Sequence, residues 1–167
     1  DNTGNSVSFT NAAATNISTG GIQGSTVVLN TAGLTQSGAI TATSLDVTNS
    51  ADAVVLTDAT NSLTDVEIDN TGNSVSFTNA AATNISAGGI QGSTVVLNTA
   101  NGLTQTGAIV ATSLDVTNTV AGNVVLDQNN DVATVAITNE VADVTYTTNR
   151  SSTTDIAGIQ GVNINLN

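Results

Sequence analysis

The stretch DNTGNSVSFTNAAATNIS occupies residues 1–18 and returns, letter for letter, at residues 69–86. The match continues for a further 14 residues in each copy with a single substitution, Thr19 against Ala87. Internal repetition of this kind is typical of arrays in which each unit stacks on its neighbours. The repeat therefore takes precedence over any single motif in deciding the fold.

A third copy is more diverged and shorter. GIQGSTVVLN at 21–30 returns as GIQGVNINLN at 158–167. The sequence predicts one segment made of repeat 1 (1–68), repeat 2 (69–137) and a partial repeat 3 (138–167). Because the pattern starts and stops within a repeat, we expect the chain to be a slice of a longer array.

The diverged copy shows which positions tolerate change. Val27 and Leu29 remain apolar in the third copy, whereas Val28 between them becomes Asn165. Side chains alternate between the two faces of a β-strand, so apolar size that is kept at every second residue indicates a strand with one buried face. The sequence places Val27 and Leu29 inside and Val28 outside.

Short strand-like runs are separated by Asn, Gly, Asp and Ser, which favour turns. A β-sandwich also gives short, evenly spaced strands. However, each repeat holds about three steps, and Asn recurs after the strands at Asn11, Asn30, Asn79 and Asn98, as in stacked side-chain ladders. We therefore predict an all-β fold, a right-handed parallel β-helix of about seven or eight coils. At a strand spacing of ~4.8 Å it forms a rod roughly 35 Å long.

The composition excludes several classes of function. The chain carries a net charge of -12, has Arg150 as its only base, and contains no His and no Cys. Nucleophile systems that depend on His, and zinc sites of Cys and His, are therefore excluded. The absence of basic residues argues against nucleic acid as a partner. No apolar run is long enough for membrane insertion.

Carboxylate pairs are the remaining route to an enzyme. A glycosidase needs two carboxyl groups roughly 5–10 Å apart, and Asp46 with Asp52, or Asp127 with Asp131, have suitable spacing in the sequence. Asp46 recurs as Asp115 in the second repeat, which is the behaviour of a structural position. We predict that the protein is not an enzyme.

The run DQNND at 127–131 resembles the start of a calcium-binding loop. Such a loop requires Gly at its sixth position and Glu at its twelfth, and this chain has Val132 and Thr138 there. We predict no cofactor, and weak binding of Ca²⁺ by the acidic surface stays open.

The phrases LTQSGAITATSLDVTN, AVVLTDATNSLTDVEI and NVVLDQNNDVATVAI resemble the repeats of very large bacterial surface proteins, the filamentous-haemagglutinin-like adhesins and their β-strand-repeat relatives. The resemblance covers essentially the whole chain, and its motifs are low in complexity. It implies a secreted β-helical shaft at the bacterial surface, used for adhesion, biofilm matrix or contact. Shaft repeats of that family carry no catalytic residues.

The expected function is thus the structural shaft of an extracellular adhesin or matrix fibre, whose partners are neighbouring repeats or further copies end to end. A filament subunit that stacks on itself is one alternative. Another is a module that binds carbohydrate or a receptor, including host or matrix glycans, around 138–155. In that region Tyr146 and Arg150 form a possible weak ligand patch.

The inside and outside assignment predicts opposite effects for neighbouring residues. We expect Leu29→Asp, or the equivalent Leu97→Asp, to unfold its coil at a cost of about 4 kcal/mol or more, because an unpaired charge would enter a thin interior. Val28→Asp should leave stability nearly unchanged. Chemical denaturation of the three variants measures the difference, and equal damage from Val28→Asp and Leu29→Asp would show the assignment to be wrong.

Overall fold

The computed structural model describes residues 2–167, and within them every element of regular structure is a β-strand. The strands are β1 (Val7–Thr10), β2 (Ala14–Ile17), β3 (Ile22–Gln23), β4 (Thr26–Thr31), β5 (Gly33–Gln36), β6 (Ile40–Asn49), β7 (Val54–Leu56), β8 (Ser62–Asp69), β9 (Val75–Asn79), β10 (Thr83–Thr99), β11 (Leu103–Gln105), β12 (Ile109–Asn118), β13 (Val124–Thr138), β14 (Val144–Thr148), β15 (Asp155–Gln160) and β16 (Ile164–Leu166). All pairings between them are parallel.

The strands wind into a right-handed parallel β-helix of about eight coils, which confirms the predicted fold. One coil takes about 20 residues: Val7 pairs with Val27, Val27 with Leu45, and Leu45 with Val66. Parallel strands need a crossover between them, and here the crossover is the rest of the coil.

Each coil has two sides. The first side is the path β1-β4-β6-β8-β10-β11-β13-β14-β16. The second side is the path β2-β5-β7-β9, continued through the later parts of β10, β12 and β13 to β15. In the early coils it also includes β3 and the first residues of β6 and β8 (40–43 and 62–64), so that only 44–49 and 65–69 of those two strands lie on the first side. Where a side is straight, a single strand crosses it; where it is bulged, two short strands are separated by a tight turn.

The straight and bulged sides exchange places near the middle of the chain. In the early coils the first side is straight, and the second side is interrupted by turns such as 18–21, where Gly21 N donates to Ser18 O. From β10 onward the first side is interrupted, with a register shift between Ile85 and Ile90, while the second side runs straight through 94–99 and 113–118. β14 is straight on the first side again.

The core is a single column of apolar side chains inside the coils. Val27 is fully buried and Leu29 is 2% exposed, whereas Val28 between them is only partly buried. The predicted alternation is therefore confirmed away from the ends. The stretch NAAATN at 11–16 forms a bend followed by β2.

Gly21 and Gly89 hold equivalent turns at the bulged side of successive repeats. Gly89 has a φ of +79°, and a Cβ added to it would lie 2.0 Å from the carbonyl oxygen of Ala108 in the next coil. Only glycine fits both the left-handed backbone and this close approach. The turn therefore fixes how closely the next coil stacks.

Gly89→Ala should cost about 3 kcal/mol of stability, because the strained backbone and the clash with the neighbouring carbonyl add together. Gly72 is a matched control, since its φ is +86° but no atom lies within 4 Å of its added Cβ. Gly72→Ala should cost only about 1 kcal/mol. Equal denaturation midpoints for the two variants would contradict the role of the close approach.

Candidate functional site

The two residues of the predicted ligand patch lie in different environments. Tyr146 stacks between Leu126 and Leu166 and is 2% exposed, so it belongs to the core and its ring is not part of a surface patch. Burial raises the pKa of its hydroxyl above 10.0. This hydroxyl is the one buried side-chain polar atom in residues 2–167 that makes no hydrogen bond. Repeats 1 and 2 carry Phe9 and Phe77 at this position.

Arg150 remains on the surface. Its Nη1 donates to Asp131 Oδ1 at 2.9 Å and its Nε donates to Ser152 Oγ at 2.7 Å. The pair is half-open to solvent, so it adds little to stability. The Arg150 part of the predicted patch stays a prediction, because a ligand can reach this guanidinium.

Arg150 lies at one end of a groove of about 280 Å³, which we name groove B. Groove B is lined by Thr71, Gly72, Gln91, Gly92, Ser93, Val110, Ala111, Thr112, Asp131 and Arg150. A groove of about 290 Å³ in the first repeat, groove A, is lined by Thr3, Gln23, Gly24, Thr41, Ala42, Thr43 and Ser62. Seven of the groove B residues are the equivalents of the groove A residues one repeat later.

The two grooves share their internal geometry. Thr3 Oγ1 donates to Gln23 Oε1 at 3.3 Å, and Thr71 Oγ1 donates to Gln91 Oε1 at 3.1 Å. In both grooves the glutamine Nε2 group donates no hydrogen bond within residues 2–167. The floor differs, because groove A has Thr41 where groove B has Val110, which is 44% exposed.

Asp46 and Asp52, a carboxylate pair suggested by the sequence, lie on different elements. Asp46 stacks on Glu67 of the next coil, in register on the first side. Partial burial, together with the neighbouring charge of Glu67, raises the pKa of Asp46 above 3.8. Asp52 lies in the turn between β6 and β7, outside that strand.

The residues of the calcium-like run point in different directions. Asn130 is buried, and its Nδ2 donates to Gln105 Oε1 at 3.1 Å and to Leu126 O at 3.1 Å. Asp131 faces outward to Arg150, and Asp127 accepts from Gln128 Nε2. Within residues 2–167 no three His, Cys, Asp or Glu side chains lie close enough together to hold a metal ion.

Buried Asn and Thr side chains form hydrogen-bonded ladders that run from one coil to the next. From repeat 1 into the start of repeat 2, Thr31 Oγ1 donates to Asn49 Oδ1 at 3.1 Å, and Asn49 Nδ2 donates to Asn70 Oδ1 at 2.8 Å. All three side chains are at most 5% exposed. In low dielectric such a satisfied network is stiff and specific, whereas one missing partner is costly.

The same ladder recurs one repeat later, from repeat 2 into the partial repeat 3. Thr99 donates to Asn118, and Asn118 Nδ2 donates to Asn139 Oδ1 at 3.0 Å. The prediction that Asn11 and Asn30 stack on one another is wrong by one residue, since Asn30 stacks on Thr10. Of the four asparagines that the sequence predicted to stack, only Asn79 is buried, and the asparagines of the ladders are Asn49, Asn70, Asn118 and Asn139. The three members of one ladder, Thr99, Asn118 and Asn139, come from three different stretches of sequence. Comparing the repeats with one another therefore does not reveal that these residues meet.

A scan against known protein families, a search of curated proteins and a search of solved structures each found no match. The residues that the structure describes include no helix of the length and hydropathy needed to cross a membrane. Grooves A and B and the amide ladders are thus the distinctive surface and interior features on which a functional argument can rest.

Asn118→Ala should destabilise the protein by about 2–4 kcal/mol, because five hydrogen bonds depend on this buried amide. Its Oδ1 accepts from Thr99 and from Gly102 N, and its Nδ2 donates to Val120 O, Gly122 O and Asn139. Urea denaturation measures the loss.

The exposed Asn129 provides the control for this experiment. Asn129→Ala should change stability by less than about 0.5 kcal/mol. If Asn118→Ala lowers the free energy of unfolding no more than Asn129→Ala does, the ladder does not stabilise the fold.

Asp46→Asn should stabilise the protein at pH 7. The folded state holds the Asp46 proton more tightly than the unfolded chain does, so stability falls as the pH rises from about 3.8 through the raised folded-state pKa. The amide removes this penalty, and below pH 3.8 the variant and the parent should converge. Thermal unfolding at pH 3 and pH 7 tests this.

Asp115 provides the matched control, because its neighbours in register are Val96 and Ala136 and not a carboxylate. Asp115→Asn should give a smaller gain at pH 7 than Asp46→Asn. A gain that is equal for the two variants would show that the stacking of Asp46 on Glu67 is not the cause.

Proposed function

We propose that this chain is part of the structural shaft of a secreted bacterial surface adhesin or extracellular matrix fibre, giving reach and stiffness. The observation that carries the proposal is the unbroken axial ladder: each strand from β1 to β16 pairs in parallel with a strand of a neighbouring coil. A fold built this way extends in one dimension, because each coil contacts only the coils next to it.

The interior supports a mechanical role. Apolar residues and satisfied amides fill it, and Tyr146 and Phe77 are its largest fully buried side chains. Such an interior leaves little room for a catalytic cavity. Grooves A and B lie on the outside and are uncharged apart from the Asp131–Arg150 pair. These features support a function based on the stiffness of the rod and on its outer surface.

Localisation outside the cell follows from the same proposal and from the sequence resemblance. A shaft with one base and thirteen acids presents a single trypsin site, at Arg150, which suits an environment rich in proteases. Its acidic surface keeps shafts apart from one another and from anionic lipid.

Electron microscopy of the native material, on the cell surface and in the medium, tests the proposal. Thin unbranched fibres are the expected result. Compact, monodisperse particles without fibres would overturn the shaft. Repeating the experiment with a calcium chelator shows whether the acidic surface needs Ca²⁺, since fibres that vanish with chelator would give the ion a structural role.

The same experiment on the purified 167-residue chain separates the shaft from the filament subunit. A shaft segment should remain as short rods. Long filaments that grow from the purified chain would favour a subunit that stacks end to end.

A further inference from the structure

The repeat and the coil have different periods, and their mismatch determines where each repeat faces. In repeat 1 the inward residues Val7, Val27, Leu45 and Val66 form one column on the first side of the coil. Three coils thus separate Val7 from Val66. The next copy of Val7 is Val75, which follows Val66 by nine residues, less than half of a coil.

Val75 therefore lies on the second side. It pairs with Val54 below, which pairs with Leu34, and it pairs with Val95 above. Leu34 and Val54 belong to repeat 1, so the second copy stacks on a different part of the first copy and not on its own equivalent.

The third copy returns to the first side. Val144 pairs with Val124 below and Ile164 above, and Val124 pairs with Leu103. This path continues from β8 through β10 and β11, which is the first side. One repeat therefore spans three and a half coils, and successive repeats face opposite sides of the rod.

Grooves A and B follow the same rule. In groove A, Gln23, Thr41 and Ser62 stack on the second side. In groove B, Gln91 pairs with Val110, and Gln91 also pairs with Asp69, which pairs with Thr48 on the first side. The equivalent surfaces thus look in opposite directions.

The chemistry of the grooves indicates the class of partner. Threonine and serine hydroxyls and one free glutamine amide line each groove, over a floor of alanine with threonine or valine. The net charge of -12 repels anionic polymers. The only guanidinium, that of Arg150, is already paired with Asp131. A neutral polymer rich in hydroxyl groups matches this lining.

We propose that grooves A and B are equivalent binding surfaces for neutral, hydroxyl-rich polymers such as uncharged polysaccharides, and that their alternation makes the array a two-sided fibre. A polymer that lies along one side meets the groove once in two repeats, or seven coils, which is about 34 Å at a strand spacing of ~4.8 Å. Polymers on both sides are held by the same shaft, so the shaft cross-links them. This inference rests on the proposed shaft function.

Pulsed electron paramagnetic resonance tests the alternation. The chain has no Cys, so spin labels at Val28→Cys and Val96→Cys report on equivalent outward positions of repeats 1 and 2. The control pair is Thr35→Cys with Val96→Cys, which lie three coils apart in one column. The control distance should be about 14 Å.

The Val28 and Val96 labels should be farther apart than the control by about 10 Å or more, because they add the width of the rod to three and a half coils of rise. Similar distances for both pairs would mean that a repeat holds a whole number of coils. In that case the two-sided arrangement is wrong.

A printed array of neutral and anionic glycans, probed with the full chain, tests the binding chemistry. We expect binding to neutral glycans, a reduction of about twofold in Gln23→Ala or Gln91→Ala, and at least a tenfold loss in the double variant. Asn129→Ala, outside both grooves, should bind as the parent does. All variants should keep the parent's thermal midpoint.

Two outcomes overturn the binding proposal: no neutral glycan bound, or binding confined to anionic glycans and removed by Arg150→Ala. Neither outcome touches the shaft, which depends on fibres in the micrograph. Fibres without glycan binding would thus remove only this inference. Bound glycans without fibres would remove the shaft and, with it, the two-sided fibre, and would leave grooves A and B as binding surfaces.

Discussion

Backbone hydrogen bonds between parallel strands run along the axis of this molecule, from Val7 to Leu166, and they constrain every other choice in the sequence. Each coil must present the same inward positions as the coil below, or the ladder loses its register. A shift by one residue would turn every apolar side chain outward. The strict alternation of Val27, Val28 and Leu29 is the direct consequence.

The turns between the two sides of each coil interrupt this ladder of hydrogen bonds. At each turn the backbone must change direction without leaving buried polar groups unpaired. Two devices solve it here. Glycines such as Gly21 and Gly89 take left-handed conformations where the next coil approaches closely. Asparagines such as Asn118 fold their amides into the corner and bond to backbone carbonyls of the turn and to the amide of the next coil.

The sequence predicted the fold well because its signals are local. Alternation at Val27 to Leu29 and the turn residues between strands are each readable within a few residues, and the long period is readable by comparing the copies.

The half-coil offset between repeats was not predicted, since it depends on how many residues each bulged side contains. The shift between Ile85 and Ile90 is such a case. Groove B was missed for the same reason: Thr71, Gln91 and Val110 are distant in sequence and meet only through stacking. Tyr146, named as part of a possible weak ligand patch, lies in the core because it stands where the other copies have phenylalanine.

An odd number of half-coils per repeat has a physical advantage for a tandem array. If a repeat held a whole number of coils, near-identical segments would stack in the same column, and a slip by one repeat would leave the local pairing almost unchanged. With three and a half coils, Val75 stacks above Val54 and Leu34, which come from different motifs of the preceding repeat. The straight strands therefore meet bulged sides at each junction, and the turn at Gly89 must fit above Glu67, whose carboxylate accepts from Gly88 N and Ser86 Oγ. Such unlike contacts fix the register between repeats. Near-identical copies can then follow one another in a chain and still fold into a single arrangement.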